Sequence, residues 1–118
     1  MVLRVKADGT QSYEAVAKWD GALGKMVPVP IDLDTATDQV FLILYGTGLR
    51  NRSSLQSVTA RVGGGDAQVL YAGAVSGFFG LDQLNLRLPP RSQTGNGQVN
   101  VALSIDGKTA NTVTVTVK

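Results

Sequence analysis

The sequence predicts an all-β fold: an immunoglobulin-like β-sandwich of about nine short strands, with an amino-terminal β-hairpin packed on it. Three observations carry this reading. Of the 118 residues, 28 are Val, Ile or Thr, whose branched Cβ favours extended backbone. Short runs alternate apolar with polar residues, and Gly, Pro or Asp-Gly turn signals separate them about every 8 to 12 residues. No run shows the 3.6-residue period of an amphipathic helix.

The elements follow in order. Residues 2–6, 13–19 and 25–31 read as three short strands, with turns at Asp8-Gly9 and from Gly21 to Gly24. Residues 32–38 hold Asp32, Asp34, Asp38 and two Thr, and read as a loop. It joins an amino-terminal strand-and-hairpin segment, 1–36, to the sandwich proper, 37–118. The whole is one domain, because about 36 residues cannot bury an independent core.

Residues 40–45 are apolar throughout, which predicts a strand covered on both faces. Val40, Leu42 and Leu44 would fill the sandwich, leaving Phe41, Ile43 and Tyr45 outside. The amino-terminal hairpin with Trp19 and Val27 is the expected cover, a neighbouring domain the alternative. Strands at 58–62 and 68–71 flank the Gly63-Gly64-Gly65-Asp66 turn. Leu84, Leu86 and Leu88 alternate with Asn85 and Arg87 until Pro89-Pro90 stops them. Last comes a hairpin: Val99, Val101, Leu103 and Ile105 share a face, Asp106-Gly107 turns the chain, and Thr and Val alternate over 112–117. Asp-Gly suits a type I′ turn, which needs positive φ at both central residues.

Composition removes much chemistry. The chain has no Cys and no His. That excludes disulfides, thiolate nucleophiles, a Ser-His-Asp triad and His-ligated metals. Charged residues are 17% of the chain, and the formal charge is +2. Arg50 and Arg52 form a close basic pair and the other basic residues are scattered, so no basic face suited to nucleic acid is expected. No run approaches the roughly 18 to 20 apolar residues of a membrane span. Residues 1–6 lack the apolar core of a signal peptide.

Four features invite a functional reading. Gly46-Thr47-Gly48 follows an apolar strand, but a dinucleotide fingerprint needs a third Gly, and Asn51 stands there. It is expected to be a turn. Asp32, Asp34 and Asp38 offer oxygen ligands of the kind Ca²⁺ takes, without the alternating calcium-loop pattern, so Asp34 and Asp38 are expected to cap turns. Glu14 is the lone Glu, and the dispersed Asp residues do not suggest the facing carboxylate pair of a glycosidase. Lys6, Lys18 and Lys108 lie in or beside strands, where a Lys–Asn isopeptide is conceivable and a solvated edge lysine expected. No catalytic residue, metal ligand or cofactor site is assigned.

The loop Gly77-Phe78-Phe79-Gly80-Leu81 stands out. Adjacent aromatics between glycines are either a plug over the end of the sandwich, which is the expectation, or an exposed binding tip. Tyr13 and Trp19 are the alternative contacts, for a glycan.

These residues also carry a resemblance. The chain resembles the Solibacter-type uncharacterised C-terminal domain family of secreted bacterial proteins. The match runs through Ala7-Asp8-Gly9-Thr10, Val29-Pro30-Ile31-Asp32-Leu33 and the stretch from Phe41 through Tyr45-Gly46-Thr47-Gly48-Leu49. It continues through Val69-Leu70-Tyr71-Ala72-Gly73, Gly80-Leu81-Asp82-Gln83-Leu84-Asn85, Pro89, the Gly95 turn and the closing strand. The Gly-Thr-Gly-Leu turn and the Gly-rich hairpin are similar to IPT/TIG immunoglobulin-like domains. The resemblance implies an extracellular or cell-surface accessory domain without assigned activity, and offers no catalytic residues. The expected function is therefore non-catalytic: a spacer, a cap or an adhesion and protein-interaction module. Its partners would be other domains of the parent chain, or a cell-surface protein or glycan, with no nucleic acid and no membrane insertion. The alternative is a carbohydrate-binding module attached to a secreted hydrolase.

Overall fold

The computed structural model describes residues 1–33, 37–46, 54–109 and 112–118. In chain order the strands are β1 (Val2–Val5), β2 (Gln11–Glu14), β3 (Ala17–Asp20), β4 (Lys25–Pro28) and β5 (Gln39–Gly46). After a 3₁₀ turn at Leu55–Ser57 come β6 (Val58–Val62), β7 (Gly65–Ala74) and β8 (Asp82–Arg87). A one-turn helix, α1 (Arg91–Thr94), precedes β9 (Gly97–Ile105), β10 (Lys108–Thr109) and β11 (Val113–Val117). The fold is all-β and sandwich-like, with eleven strands among the described residues against the nine expected.

Two layers face each other. The first runs β2-β1-β5-β8-β7, and the second β7-β6-β9, with β10 and β11 on the far edge of β9. All of these ladders are antiparallel. β7 belongs to both layers: Ala67 pairs with Ala60 of β6, whereas Gln68 pairs with Arg87 of β8. A register shift between Val69 and Tyr71 bends the strand just after it crosses over. Alternation sets which side chains enter the space between the layers. Val2, Leu42, Leu84 and Leu86 enter from the first layer, Val62, Val101 and Val117 from the second, and all are fully buried. Each such side chain contributes about 1.5–3 kcal/mol. Ile31 joins them through a parallel bridge to Val117, closed by hydrogen bonds from Ile31 N to Thr116 O (2.7 Å) and Lys118 N to Ile31 O (2.9 Å).

The carboxy-terminal hairpin forms as the sequence predicts. Asp106 and Gly107 have φ of 51° and 79°, the two positive values a type I′ turn requires. Three expectations need correction. The strand expected at 13–19 breaks at Ala15-Val16 into β2 and β3. Val16 turns toward the core there, β2 folds back on β1, and β3 leaves to pair with β4. The amino-terminal strand is thus built into the first layer between β2 and β5 rather than laid over it. The third concerns β5, which is covered on both faces for only part of its length: Val40 and Leu42 are buried on the inner face, and on the outer face Ile43 is buried and Phe41 half-buried, whereas Tyr45 is exposed.

The β3–β4 hairpin does not cover the Phe41 face. It lies beside the second layer, separated from it by a groove of about 420 Å³ between Val16, Met26 and Val27 on one side and Gln98, Thr114 and Thr116 on the other. The cause is local. Val29 N donates to Val16 O (2.9 Å) at the base of the hairpin, and the chain continues from there into the Ile31 bridge with β11.

Candidate functional site

Phe78 and Phe79 occupy the tip of the β7–β8 hairpin. Val75 N donates to Leu81 O (3.0 Å) and Phe78 N to Val75 O (3.2 Å), closing a loop whose flanking Gly77 and Gly80 have φ of 83° and 73°. Only glycine takes such values without strain, so the two glycines aim the aromatics outward. Phe78 is 62% exposed and Phe79 fully exposed. The plug is therefore overturned. The core closes over the ends of β7 and β8 without these rings, and the geometry is that of a protruding tip.

Tyr13 and Trp19 are both exposed, but the structure does not bring them together. Tyr13 lies on β2 opposite Leu3, on the outer face of the first layer, while Trp19 lies on β3 opposite Met26 in the separate two-stranded ladder. Trp19 is 64% exposed, and the facing Met26 is exposed beside it. The split of residues 13–19 at Val16 parts the pair.

That outer face holds Phe41, Ile43 and Tyr45, as the alternation of β5 predicts, together with residues of β7 and β8 that the sequence does not place there. The register places Tyr13, Leu3, Phe41 and Arg87 in one row across β2, β1, β5 and β8. Ile43, Asn85 and Tyr71 form the next, and Tyr45, Gln83 and Gly73 the third. The Tyr71 ring lies over Gly73: a Cβ added to that glycine would meet the Tyr71 hydroxyl and ring carbon at 3.2 and 3.3 Å. Tyr71 Oη donates to Ala74 O (2.6 Å), which fixes the ring. Beside it Gln83 Nε2 donates to Asn85 Oδ1 (2.7 Å). The available signal was the alternation of Gln83 and Asn85 with the leucines of β8, read in register with Tyr45 and Tyr71. Sequence alone does not supply that register.

Arg4 is the other unforeseen group. It points inward from β1 and is 6% exposed. Its Nε donates to Glu14 Oε2 (2.6 Å), Nη1 to Asp38 Oδ2 (3.3 Å) and Nη2 to Asp32 O (2.8 Å). The hydrogen bond to Glu14 is the main cause raising its pKa above the ordinary arginine value. Asp38 thus serves the ion-pair cluster rather than a turn cap, and Asp34 lies outside the described residues. Among the described residues no group of three or more His, Cys, Asp or Glu is placed to hold a metal ion. Lys6, Lys18 and Lys108 are all exposed, unlike the shielded lysine an isopeptide bond requires. Thr47, Gly48, Arg50, Asn51 and Arg52, on which the glycine-turn and basic-pair readings rest, also lie outside the described residues. No helix among the described residues is long and apolar enough to cross a membrane.

Compared with protein-family models, curated proteins and solved structures, the chain finds no match.

Proposed function

We propose that this chain is a non-catalytic, immunoglobulin-like accessory module of a secreted or cell-surface bacterial protein, acting in adhesion or protein interaction. The observation that carries the reading is the Phe78-Phe79 tip, two exposed aromatics held out from the sandwich between two positive-φ glycines. Exposed aromatics cost solvation in the free protein and bury much area at modest entropic loss when a partner covers them. The two-layer antiparallel architecture and the resemblance to Solibacter-type and IPT/TIG domains support the class. The missing His and Cys support a role without catalysis. Partners of this kind are neighbouring domains of the parent chain or proteins of the cell surface.

The test is retention of the purified domain on bacterial cell envelopes. F78A/F79A is expected to abolish retention and to leave the melting temperature within about 2 °C, since neither ring fills a core site. Retention by the double variant, or a drop of many degrees on removing the rings, overturns the reading.

A second reading, a carbohydrate-binding module attached to a secreted hydrolase, is favoured by the exposure of Tyr13 and Trp19. Because the two lie on different ladders, a single glycan platform built from both is not the arrangement to test.

A further inference from the structure

We propose that the outer face of the first layer, centred on Tyr45, Tyr71, Gln83 and Asn85, is a binding platform for a neutral polysaccharide chain. The proposal deepens the reading of this chain as a non-catalytic binding module. It rests on neither the Phe78-Phe79 tip nor Trp19.

The first argument is the placement of the rings. Tyr71 is 41% exposed, with its ring laid over the side-chain-free Gly73 and its hydroxyl tied to Ala74 O at 2.6 Å. A ring held this way presents one flat side to solvent and loses little freedom when something stacks on it. Tyr45, also exposed, stands two strands away, so the backbones that carry the two rings lie about 10 Å apart across the strands. A chain of pyranose rings, whose axial C–H groups form apolar patches of ring size, spans that distance and stacks on both.

The second argument is the chemistry between the rings. Asn85 is directly opposite Tyr71, and Gln83 directly opposite Tyr45. The 2.7 Å bond from Gln83 Nε2 to Asn85 Oδ1 orients both amides. It leaves the Gln83 carbonyl oxygen and the Asn85 amide protons without another hydrogen-bond partner among the described residues. The Gln83 oxygen as acceptor and three N–H donors, two on Asn85 and the second on Gln83 Nε2, lie side by side between the two rings and match the donors and acceptors of vicinal hydroxyls. An apolar protein surface docked here would bury those amide groups unpaired, which is costly.

The third argument is charge. Of the strand residues that the register places on this face, Arg87 alone is charged, and no carboxylate is among them. A nucleic acid or other polyanion needs a row of cations, and a basic ligand needs carboxylates. The face has neither, and a neutral, hydroxyl-rich chain is the complement it fits.

The test is affinity electrophoresis of the purified domain in gels containing laminarin, hydroxyethyl cellulose, xylan or galactomannan. Isothermal titration with the matching hexasaccharide follows. We expect retardation by at least one of these neutral polymers, unchanged between 50 mM and 500 mM NaCl. Y71A and N85A should each weaken it about tenfold or more, the loss that one stacked ring or a pair of hydroxyl contacts gives. Q83A, which truncates a half-buried side chain and should weaken binding as N85A does, keeps the test decisive if Y71A fails to fold. F78A/F79A should leave retardation unchanged, so failure here is distinct from failure of the tip. The absence of retardation in every gel overturns the proposal. So does full binding by N85A and Q83A, or binding that collapses at high salt.

Discussion

Arg4 shows most sharply what one residue does here. On a four-residue strand that also carries Val2, its inward side chain occupies a core position. A guanidinium is tolerated there because Glu14 and Asp38 neutralise it and the Asp32 carbonyl takes a further N–H. Removing it strands two carboxylates around a cavity. R4A is expected to lose about 3 kcal/mol in urea denaturation, held to the lower end of such losses because Glu14 is partly exposed. R4M/E14L/D38L, which removes these three charges together, should lose less than R4A, and a larger loss would show that the ion pairs are net stabilising. Asp8 offers a pH test of opposite scale. Hydrogen bonds from the Thr10 side chain and then its backbone amide (2.9 Å) hold the exposed Asp8 carboxyl below its ordinary range. A depressed folded pKa adds stability above the unfolded value of about 3.9, and that stability is lost as pH falls further. The melting temperature of D8N should therefore fall less steeply than that of the parent between pH 5 and pH 2. Equal slopes would remove Asp8 from the account.

At the scale of elements, turns that look alike in sequence differ in what surrounds them. Gly63 has φ of 59°, and a Cβ there would collide with the Thr94 carbonyl oxygen, because the β6–β7 hairpin packs directly on helix α1. Gly9 has φ of 87° and nothing within 4 Å. G63A is expected to cost about 3 kcal/mol or prevent folding, through strain and collision together, whereas G9A pays conformational strain of about 1 kcal/mol. Equal losses in thermal melts would show that α1 yields. Such contrasts mark the limit of what could be read beforehand. Leu84, Leu86 and Leu88, and Val99 and Val101, declare their inward face by alternation alone, and Asp106-Gly107 declares its turn. The break at Ala15-Val16 was hidden, because no Gly, Pro, Asn or Asp marks a turn between Tyr13 and Trp19 and the chain divides where two different ladders take it up. The platform of Tyr45, Tyr71, Gln83 and Asn85 was hidden for a related reason. Its members lie on three strands, and pairing register is a tertiary property.

Across the whole molecule, stability is unevenly distributed, and the one Trp sits at its weak end. β5 and β8 are hydrogen-bonded on both sides and carry fully buried Leu42, Leu84 and Leu86. β3 and β4 pair with each other alone, and none of their residues is fully buried. Their turn is held by Asp20, whose carboxylate accepts from Ala22 N (2.9 Å) and Leu23 N (3.1 Å). An isolated two-stranded ladder is marginal in water, so this hairpin should open locally without the sandwich. Hydrogen exchange is expected to show the amides of residues 17–20 and 25–27 exchanging well before those of β5 and β8, at a rate nearly independent of mutations such as R4A. Fluorescence gives a second handle. With Trp19 64% exposed, native emission should be red-shifted and open to acrylamide, and should move little when urea unfolds the chain. Circular dichroism should show the full cooperative transition over the same range. A blue-shifted, protected Trp19 whose emission tracks that transition would mean that the hairpin packs onto the second layer in solution, closing the groove beside Gln98 and Thr116, and would join β3–β4 to the cooperative core.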